Sequence, residues 1–178
     1  MHLRRLVIAA LAMAVALPAA AQVKKQEMPG IRNYSRVDAT VGCGGATDPS
    51  AMAGLKKEGY ASVINLRLPT EESANIDAAR AAAQSAGLKY IHLPFNAAMP
   101  DTKVVTDFLG AVADKGNQPV FIHCGSANRV GAMWMIKRAL QDGWTVERAQ
   151  TEAEAIGLQN PQLKEFAANY IKEHPAKK

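Results

Sequence analysis

Four short apolar runs, separated by segments in which apolar positions recur every three to four residues, organise the chain. Runs of this length without a helical period are typical of buried strands. They cover residues 36–43, 61–68, 88–95 and 118–124. The amphipathic segments predict helices over 49–59, 71–87, 102–115, 129–142, 146–157 and 162–172. Strands that alternate with helices predict a single α/β domain, with a mainly parallel sheet of four to five strands flanked by helices.

The first 21 residues have the pattern of a secretory signal peptide. Two arginines precede an apolar run from Leu6 to Leu17, and an A-x-A cleavage site ends at Ala21. The run is shorter than the roughly 20 residues of a transmembrane helix, which favours cleavage over retention as a membrane anchor. We therefore expect a periplasmic or secreted protein that is not stably inserted in a membrane after cleavage. Its parts are a signal peptide over 1–21, a leader over 22–35 and a domain over 36–174.

The composition argues against two classes of partner. The 178-residue chain has 21 Lys and Arg against 16 Asp and Glu, a net charge of +5, and cleavage of the signal peptide removes two of the arginines. So small an excess of positive charge does not predict nucleic-acid binding. The four histidines and two cysteines show no metal-ligand spacing, and we expect neither a metal nor a cofactor.

Candidate chemistry lies where the fourth apolar run ends, in the sequence HCGSANR from His123 to Arg129. Sites in parallel α/β sheets lie at the carboxyl ends of the strands. A turn from strand to helix can point several backbone N–H groups at one anion, and the helix N-terminus adds positive potential. The same potential favours the nucleophilic thiolate of Cys124. The planar guanidinium of Arg129 can hold two oxygens of one anion.

The other residues of this stretch have supporting roles in the same hypothesis. Three of them are small enough to let an oxyanion approach the main chain. The expected phosphate-binding residues are Gly125, Ser126, Ala127, Asn128 and Arg129. His123 is placed to hydrogen-bond the loop and so fix the position of the cysteine. The alternative is a structural cysteine at the end of a core strand, since free cysteines are commonly buried.

Several motifs resemble, in their order and spacing, those of a known enzyme superfamily. ASVINLRLPTEE, GLKYIHLPF, PVFIHC with the arginine that follows it, and DGWTVERA together span roughly residues 36–160. The chain resembles the dual-specificity and tyrosine phosphatases and, within them, the bacterial beta-lactamase-hydrolase-like phosphatase branch. The resemblance implies an enzyme that hydrolyses phosphomonoesters of a protein or a small molecule. It implies a phosphocysteine intermediate on Cys124 and phosphate binding by Arg129.

The active-site loop departs from the pattern of this family. The family has His-Cys, five residues, Arg and then Ser or Thr, whereas only four residues separate Cys124 from Arg129. The mid-loop glycine of the family falls on Ala127. Its hydroxyl residue, which helps the thiolate to leave, falls on Val130.

Three residues outside the loop complete the candidate site. The family takes its general acid from an Asp after the HLPF strand, and the first acid there is Asp101, which is also placed to cap the next helix. Arg67, Glu71 and Glu72 lie at and after the end of the second apolar run, so they reach the same edge of the sheet. Arg67 is expected to brace the site or to pair with a carboxylate, and a plain surface role is the alternative. Cys43 ends the first run, so in a parallel sheet it is expected near Cys124, as a redox partner close enough to be able to form a disulfide.

Two other functions remain open. The six-residue span from Cys124 to Arg129 also resembles that of rhodanese sulfurtransferases, in which a smaller ring cradles a persulfide. The valine after the arginine, and the lack of an aspartate near position 97, favour instead a catalytically weak or inactive phosphatase-like module that binds a phosphorylated ligand or a partner protein.

Overall fold

The computed structural model describes residues 23–175. The predicted signal peptide lies outside the described residues and stays a prediction. Within the described part of the chain, no helix combines the length and the hydrophobicity needed to cross a bilayer.

A six-stranded sheet forms the centre of the fold. Its strands are β1 (Lys24–Lys25), β2 (Ser35–Arg36), β3 (Val41–Gly44), β4 (Ser62–Asn65), β5 (Lys89–His92) and β6 (Val120–His123). Their order across the sheet is β1-β2-β3-β6-β4-β5. The four strands β3, β6, β4 and β5 are mutually parallel, whereas β1 and β2 add to one edge in antiparallel pairs.

In residues 23–175, six α-helices flank the sheet. They are α1 (Met52–Lys57), α2 (Ile76–Ser85), α3 (Thr102–Ala113), α4 (Asn128–Leu140), α5 (Val146–Ile156) and α6 (Pro161–Glu173). Helices α3 to α6 pack on one face of the sheet, against side chains such as Ile64 and Ile122. Helices α1 and α2 pack on the other face, against Val63 and Phe121. Because neighbours along a strand point to opposite faces, one apolar run supplies both cores.

The predicted fold class is confirmed, but the sheet has six strands rather than four to five. The run over 36–43 forms a hairpin and not one strand. Asp38 turns the chain between β2 and β3 by accepting hydrogen bonds from the amide and the hydroxyl of Thr40, at 2.8 Å each. The leader supplies β1, which pairs with β2 at the edge of the sheet. The leader is therefore part of the folded domain, because it adds an edge strand to the sheet.

The helix expected over 71–87 begins only at Ile76. The residues before it form turns instead, in which the carboxylate of Glu71 accepts from the amide of Leu68 at 2.7 Å and the Glu71 carbonyl accepts from the amide of Ala74 at 3.0 Å. These turns, the loops after β3 and β5, and the loop after β6 follow the carboxyl ends of the parallel strands. They meet at one edge of the sheet, where the candidate site lies.

Candidate active site

Cys124 is the first residue after β6, and the loop it begins runs directly into α4. Its amide donates to the carbonyl of Gly44 at 3.3 Å, so the neighbouring strand β3 fixes where the loop starts. The cysteine is fully buried. Helix α4 begins at Asn128, and its first backbone bond runs from Gly131 to the carbonyl of Ala127, at 2.9 Å.

Six consecutive backbone N–H groups, from Gly125 to Val130, have no hydrogen-bond acceptor among the described residues. The carbonyls on the loop are held from outside instead. Gly125 accepts from the amide of Ala46 at 2.9 Å, and Ser126 accepts from the side chain of Asn33 at 3.3 Å. Successive unbonded N–H groups at the start of a helix form a concave anion site. The loop can therefore bind an oxyanion although it is one residue shorter than the family's pattern.

Ala127 has a left-handed backbone, with φ of +75°. This is the position at which the related phosphatases carry glycine. A side chain in this conformation costs roughly 1–2 kcal/mol. Space for its methyl group comes from Gly157, because a Cβ added there would lie 2.9 Å from the Cβ of Ala127. The loop therefore keeps a left-handed turn with alanine at that position, and it relies on a glycine at the end of α5 to do so.

The guanidinium of Arg129 is anchored along one edge. Its Nη1 donates to Glu71 Oε1 at 2.6 Å and to the carbonyls of Leu66 and Phe95 at 3.1 Å each. Its Nη2 donates to Glu71 Oε2 at 2.8 Å, which makes the pair bidentate. Nε has no acceptor among the described residues. The edge formed by Nε and the second hydrogen of Nη2 is thus available to an oxyanion.

Glu71 connects Arg129 to Arg67. Arg67 Nε donates to Glu71 Oε2 at 3.2 Å, and the rest of its guanidinium holds the carbonyls of Glu72 and Ser73. Burial raises the pKa of Glu71, but hydrogen bonds from Arg129 and from the Leu68 amide outweigh it and lower the pKa to about 2. For Arg129, burial lowers the pKa, and Glu71 together with the adjacent Cys124 raises it by more. Arg67 thus pairs with the same carboxylate that holds Arg129.

Glu71 links the two arginines, a role that was not predicted from the sequence. It follows Arg67 by four positions just after β4, which is the signal that could have identified it. A Cβ added to Gly125 would lie 3.5 Å from both Glu71 Oε2 and Arg129 Nη2, so the ion pair packs directly on the loop.

Replacing Glu71 by glutamine is expected to lower the free energy of unfolding at pH 7 by about 2 kcal/mol, the scale of hydrogen bonds to a charged group. The pKa of the carboxyl is lower in the folded than in the unfolded chain, so this stability is present above about pH 4.5 and is lost as the pH falls toward about 2. Urea unfolding of wild type and variant at pH 7 and at pH 2 would measure the loss under both conditions. Glu72→Gln is the matched control, because the Glu72 side chain makes no ion pair among the described residues. A Glu71→Gln loss that persists at pH 2 would contradict the account.

His123 is buried, and neither ring nitrogen has a hydrogen-bond partner among the described residues. The expected hydrogen bond to the loop is therefore not formed. Its ring stacks on Phe121 instead, with centroids 5.8 Å apart. Burial and the charge of Arg67 lower the pKa of His123 to about 3, against the opposing effect of the backbone of Gly45 and Cys124. The imidazole is thus neutral at the base of the site.

Asn128 uses its side chain to hold the loop in place. Oδ1 accepts from the amides of Gln159 and Asn160, at 2.7 Å each, and Nδ2 donates to Ser126 Oγ at 3.1 Å. This ties the loop to the start of α6. In this arrangement Asn128 offers an oxyanion its backbone N–H, and the exposed Ser126 hydroxyl is engaged by Asn128.

Asp101 lies at the N-cap of α3. Its carboxylate accepts a hydrogen bond from the amide of Lys103 at 2.8 Å and is exposed to solvent. N-capping is the role that the sequence analysis gave as the alternative to general-acid catalysis. Val130 is buried in the core between the sheet and α4, so no hydroxyl follows the arginine.

Cys43 and Cys124 are both free thiols. Strand β3 is adjacent to β6, but Cys43 pairs with Ile122, two residues before Cys124. Strand spacing and rise place the two Cα atoms about 8 Å apart on the same face. A disulfide needs about 4.4–6.8 Å. A bridge between these cysteines would therefore require the loop to move. Among residues 23–175 no cluster of His, Cys, Asp and Glu is arranged to hold a metal ion.

Comparisons with solved structures show where this fold recurs. A DUF442 protein of Shewanella putrefaciens CN-32 is 20% identical, with a TM-score of 0.68, over 82% of this chain and 92% of that one. TpbA of P. aeruginosa is 21% identical, with a TM-score of 0.66, over 89% and 93%. The core catalytic domain of the PP-IP phosphatase SIW14 from S. cerevisiae is 18% identical, with a TM-score of 0.65, over 80% and 87%. At these identities the likeness shows the fold.

The sequence itself gives the family. No match to a curated protein was found. Residues 35–141, more than half of the chain, match the model of the phosphatase-like domain of beta-lactamase hydrolase-like proteins. The match contains the loop from Cys124 to Arg129, both arginines of the network and Glu71. The chain therefore belongs to the family of the phosphatase-like domains of beta-lactamase hydrolase-like proteins.

Proposed function

We propose that this protein is a periplasmic phosphatase that hydrolyses phosphomonoesters through a phosphocysteine on Cys124. One observation carries the proposal. The nucleophile lies at the start of six N–H groups that have no acceptor in residues 23–175, and beside an arginine that holds Glu71 with its other edge. Such a site matches the three equatorial oxygens of a phosphoryl group in transfer, where fixed donors supply most of the stabilisation.

The reaction has two displacement steps. The thiolate sulfur of Cys124 attacks phosphorus, the bond from phosphorus to the ester oxygen breaks, and the leaving oxygen takes the electron pair. Water then attacks phosphorus, the sulfur–phosphorus bond breaks with its electrons returning to sulfur, and the water proton goes to solvent as inorganic phosphate is released. In both steps Arg129 and the loop amides hold the same oxygens, while Glu71 and Arg67 keep the guanidinium in place.

Aryl phosphates, phosphotyrosine included, are the substrates that best fit this arrangement. Asp101, the expected general acid, has its carboxylate on the cap of α3. A phenolate is stable enough to leave with little help from an acid, whereas an alkoxide needs a proton. A variant of TpbA with serine in place of a cysteine was crystallised with phosphotyrosine, which supports an aryl substrate by analogy. The predicted signal peptide supports the periplasmic location.

Sulfur transfer is the second candidate, and the short loop together with the position of Asp101 favours it. Cys124 would attack the outer sulfur of thiosulfate, the sulfur–sulfur bond would break, and sulfite would leave with the electron pair. Cyanide would then take the sulfur as thiocyanate and return the thiolate. Neither leaving group needs a proton, so this chemistry requires no general acid.

A pair of steady-state assays tests the proposal against this alternative. The purified mature protein, kept reduced, is given an aryl phosphate in one assay and thiosulfate with cyanide in the other. Phosphate release with no thiocyanate supports the proposed function. Thiocyanate without phosphate would establish the sulfurtransferase. Binding of inorganic phosphate without either product would establish a binding module.

Replacing Asp101 by alanine is expected to lower the free energy of unfolding by about 1 kcal/mol, the usual contribution of an N-cap. We expect kcat/KM for an aryl phosphate to change little, because the phenolate leaves unaided. Thermal unfolding and assays on matched aryl and alkyl phosphates would measure both effects. A loss confined to the alkyl ester would instead identify Asp101 as the general acid, and Asp107→Ala, within α3, serves as the control.

A further inference from the structure

We infer that Asn33, which precedes the family-matched segment, is a positioning residue of the oxyanion loop. The inference rests on the proposed function only in requiring that the loop binds an oxyanion. Asn33 Nδ2 donates to the carbonyl of Ser126 at 3.3 Å, across 93 residues of chain. The family match begins at residue 35, so this contact comes from a part of the chain outside the matched domain.

The hydrogen bond from Asn33 to the Ser126 carbonyl also determines the direction of the next backbone N–H group in the loop. The peptide bonds of the loop are trans, so the carbonyl and the N–H of each unit point in opposite directions. Asn33 holds the Ser126 carbonyl outward, which directs the N–H of Ala127 to the opposite side. The amide of Ala46 does the same for the preceding unit by holding the Gly125 carbonyl. Both N–H groups remain without an acceptor in the described structure, as an anion site requires.

The backbone on either side of Asn33 is fixed, so its side chain has a defined place. The amide and carbonyl of Arg32 pair with Ala46 and Gly45 at 2.9 and 2.7 Å. On the other side, the buried Tyr34 hydroxyl lies 2.9 Å from that of Tyr60. Asn33 itself has φ of +53°, a left-handed conformation that Asn tolerates better than most residues.

The three segments are in direct contact around Gly45. A Cβ added there would lie 3.1 Å from the Gly125 carbonyl oxygen, 3.2 Å from the Arg32 carbonyl oxygen and 3.3 Å from the Ser126 Cα. The leader makes a second contact through Lys25, whose ammonium donates to the carbonyl of Ile156 at 2.7 Å. The leader thus forms a wall of the site, with the Asn33 amide as its hydrogen-bond donor to the loop.

Two substitutions distinguish the contribution of the Asn33 side-chain amide from that of its left-handed backbone. Asn33→Gly keeps the left-handed conformation and removes the donor. Asn33→Asp keeps the shape, cannot donate when ionised, and places a negative charge beside the loop. We expect the affinity for inorganic phosphate at pH 7 to fall about three- to tenfold in the first, the scale of one hydrogen bond, and by more in the second. The deficit of Asn33→Asp relative to wild type should narrow as the pH falls through about 4, because a protonated carboxyl donates again.

Calorimetric titration of the reduced protein with inorganic phosphate measures these affinities, and thermal unfolding checks the fold. Asn75→Gly is the matched control, because Asn75 is also exposed and left-handed, with φ of +44°, and its side chain makes no capping bond. A wild type that binds phosphate, with Asn33→Gly and Asn33→Asp binding equally well, would overturn this inference. A wild type that binds no phosphate would instead defeat the proposed function.

Discussion

Replacing Cys124 by serine is expected to lower kcat for an aryl phosphate by about 10⁴-fold or more. A serine hydroxyl is not ionised at neutral pH and is a far weaker nucleophile than a thiolate. The backbone donors of the loop stay in place, and so does the Arg129 guanidinium, because Glu71 holds it independently of the sulfur. The variant should therefore still bind inorganic phosphate. Phosphate release by the variant and titration with phosphate would measure the two effects.

Cys43→Ala is the matched control for this substitution. Cys43 is equally buried, on the same face of the sheet, and pairs with Ile122. Its thiol has a raised pKa, because burial and the charges of Glu152 and Asp38 disfavour the thiolate. We expect kcat under reducing conditions to stay near that of the wild type. Equal activity of Cys124→Ser and wild type would show that the nucleophile lies elsewhere.

Replacing Arg129 by lysine is expected to lower kcat/KM for the same substrate by about 10²–10³-fold, the usual effect of losing one preorganised donor to the reacting oxyanion. One edge of the guanidinium donates hydrogen bonds to Glu71, and the other edge is directed to the bound oxyanion in the proposed reaction. A lysine ammonium is a single point with no second edge, so it cannot hold the carboxylate and the phosphoryl oxygens in the same geometry.

The melting temperature of Arg129→Lys must be measured alongside its kinetics, because the ion pair with Glu71 is weakened as well. Arg80→Lys is a suitable control, since Arg80 lies on α2 over the ring of Tyr90 and not at the loop. A folded Arg129→Lys with unchanged kcat/KM would contradict the assignment of this residue to phosphate binding.

The fold could be predicted wherever the apolar pattern is strong and local. The strands β4, β5 and β6 are short apolar runs, and the helices α3 to α6 begin and end within two residues of the predicted positions. Strands β1 and β2 could not be found in this way. Each has two residues, and the pairing of Lys24 with Arg36 leaves no periodic pattern of apolar positions to read.

The active site, like the fold, could be predicted from the sequence only in part. The loop from Cys124 to Arg129 is contiguous, so its composition alone indicates an anion site. The contacts that orient it come from distant parts of the chain. Glu71 lies 58 residues before Arg129, and Asn33 lies 93 residues before Ser126. The spacing of Glu71 four residues after Arg67 is a local signal for that ion pair alone. Nothing local marks Glu71 as a partner of Arg129, or the exposed Asn33 as a partner of Ser126, because the sheet topology creates the proximity.

The central claim is that Cys124 carries the phosphoryl group during turnover. Rapid acid quench of the reduced protein with an aryl phosphate, followed by mass spectrometry of the proteolytic peptides, tests it most directly. The account predicts a phosphoryl group on the peptide that contains Cys124. This group should be absent in Cys124→Ser, and it should disappear when the quench is delayed until the aryl phosphate has been consumed. Phosphate release with the phosphoryl group on another residue would contradict the account, as would sulfur in place of phosphorus on Cys124 after exposure to thiosulfate with no phosphatase activity.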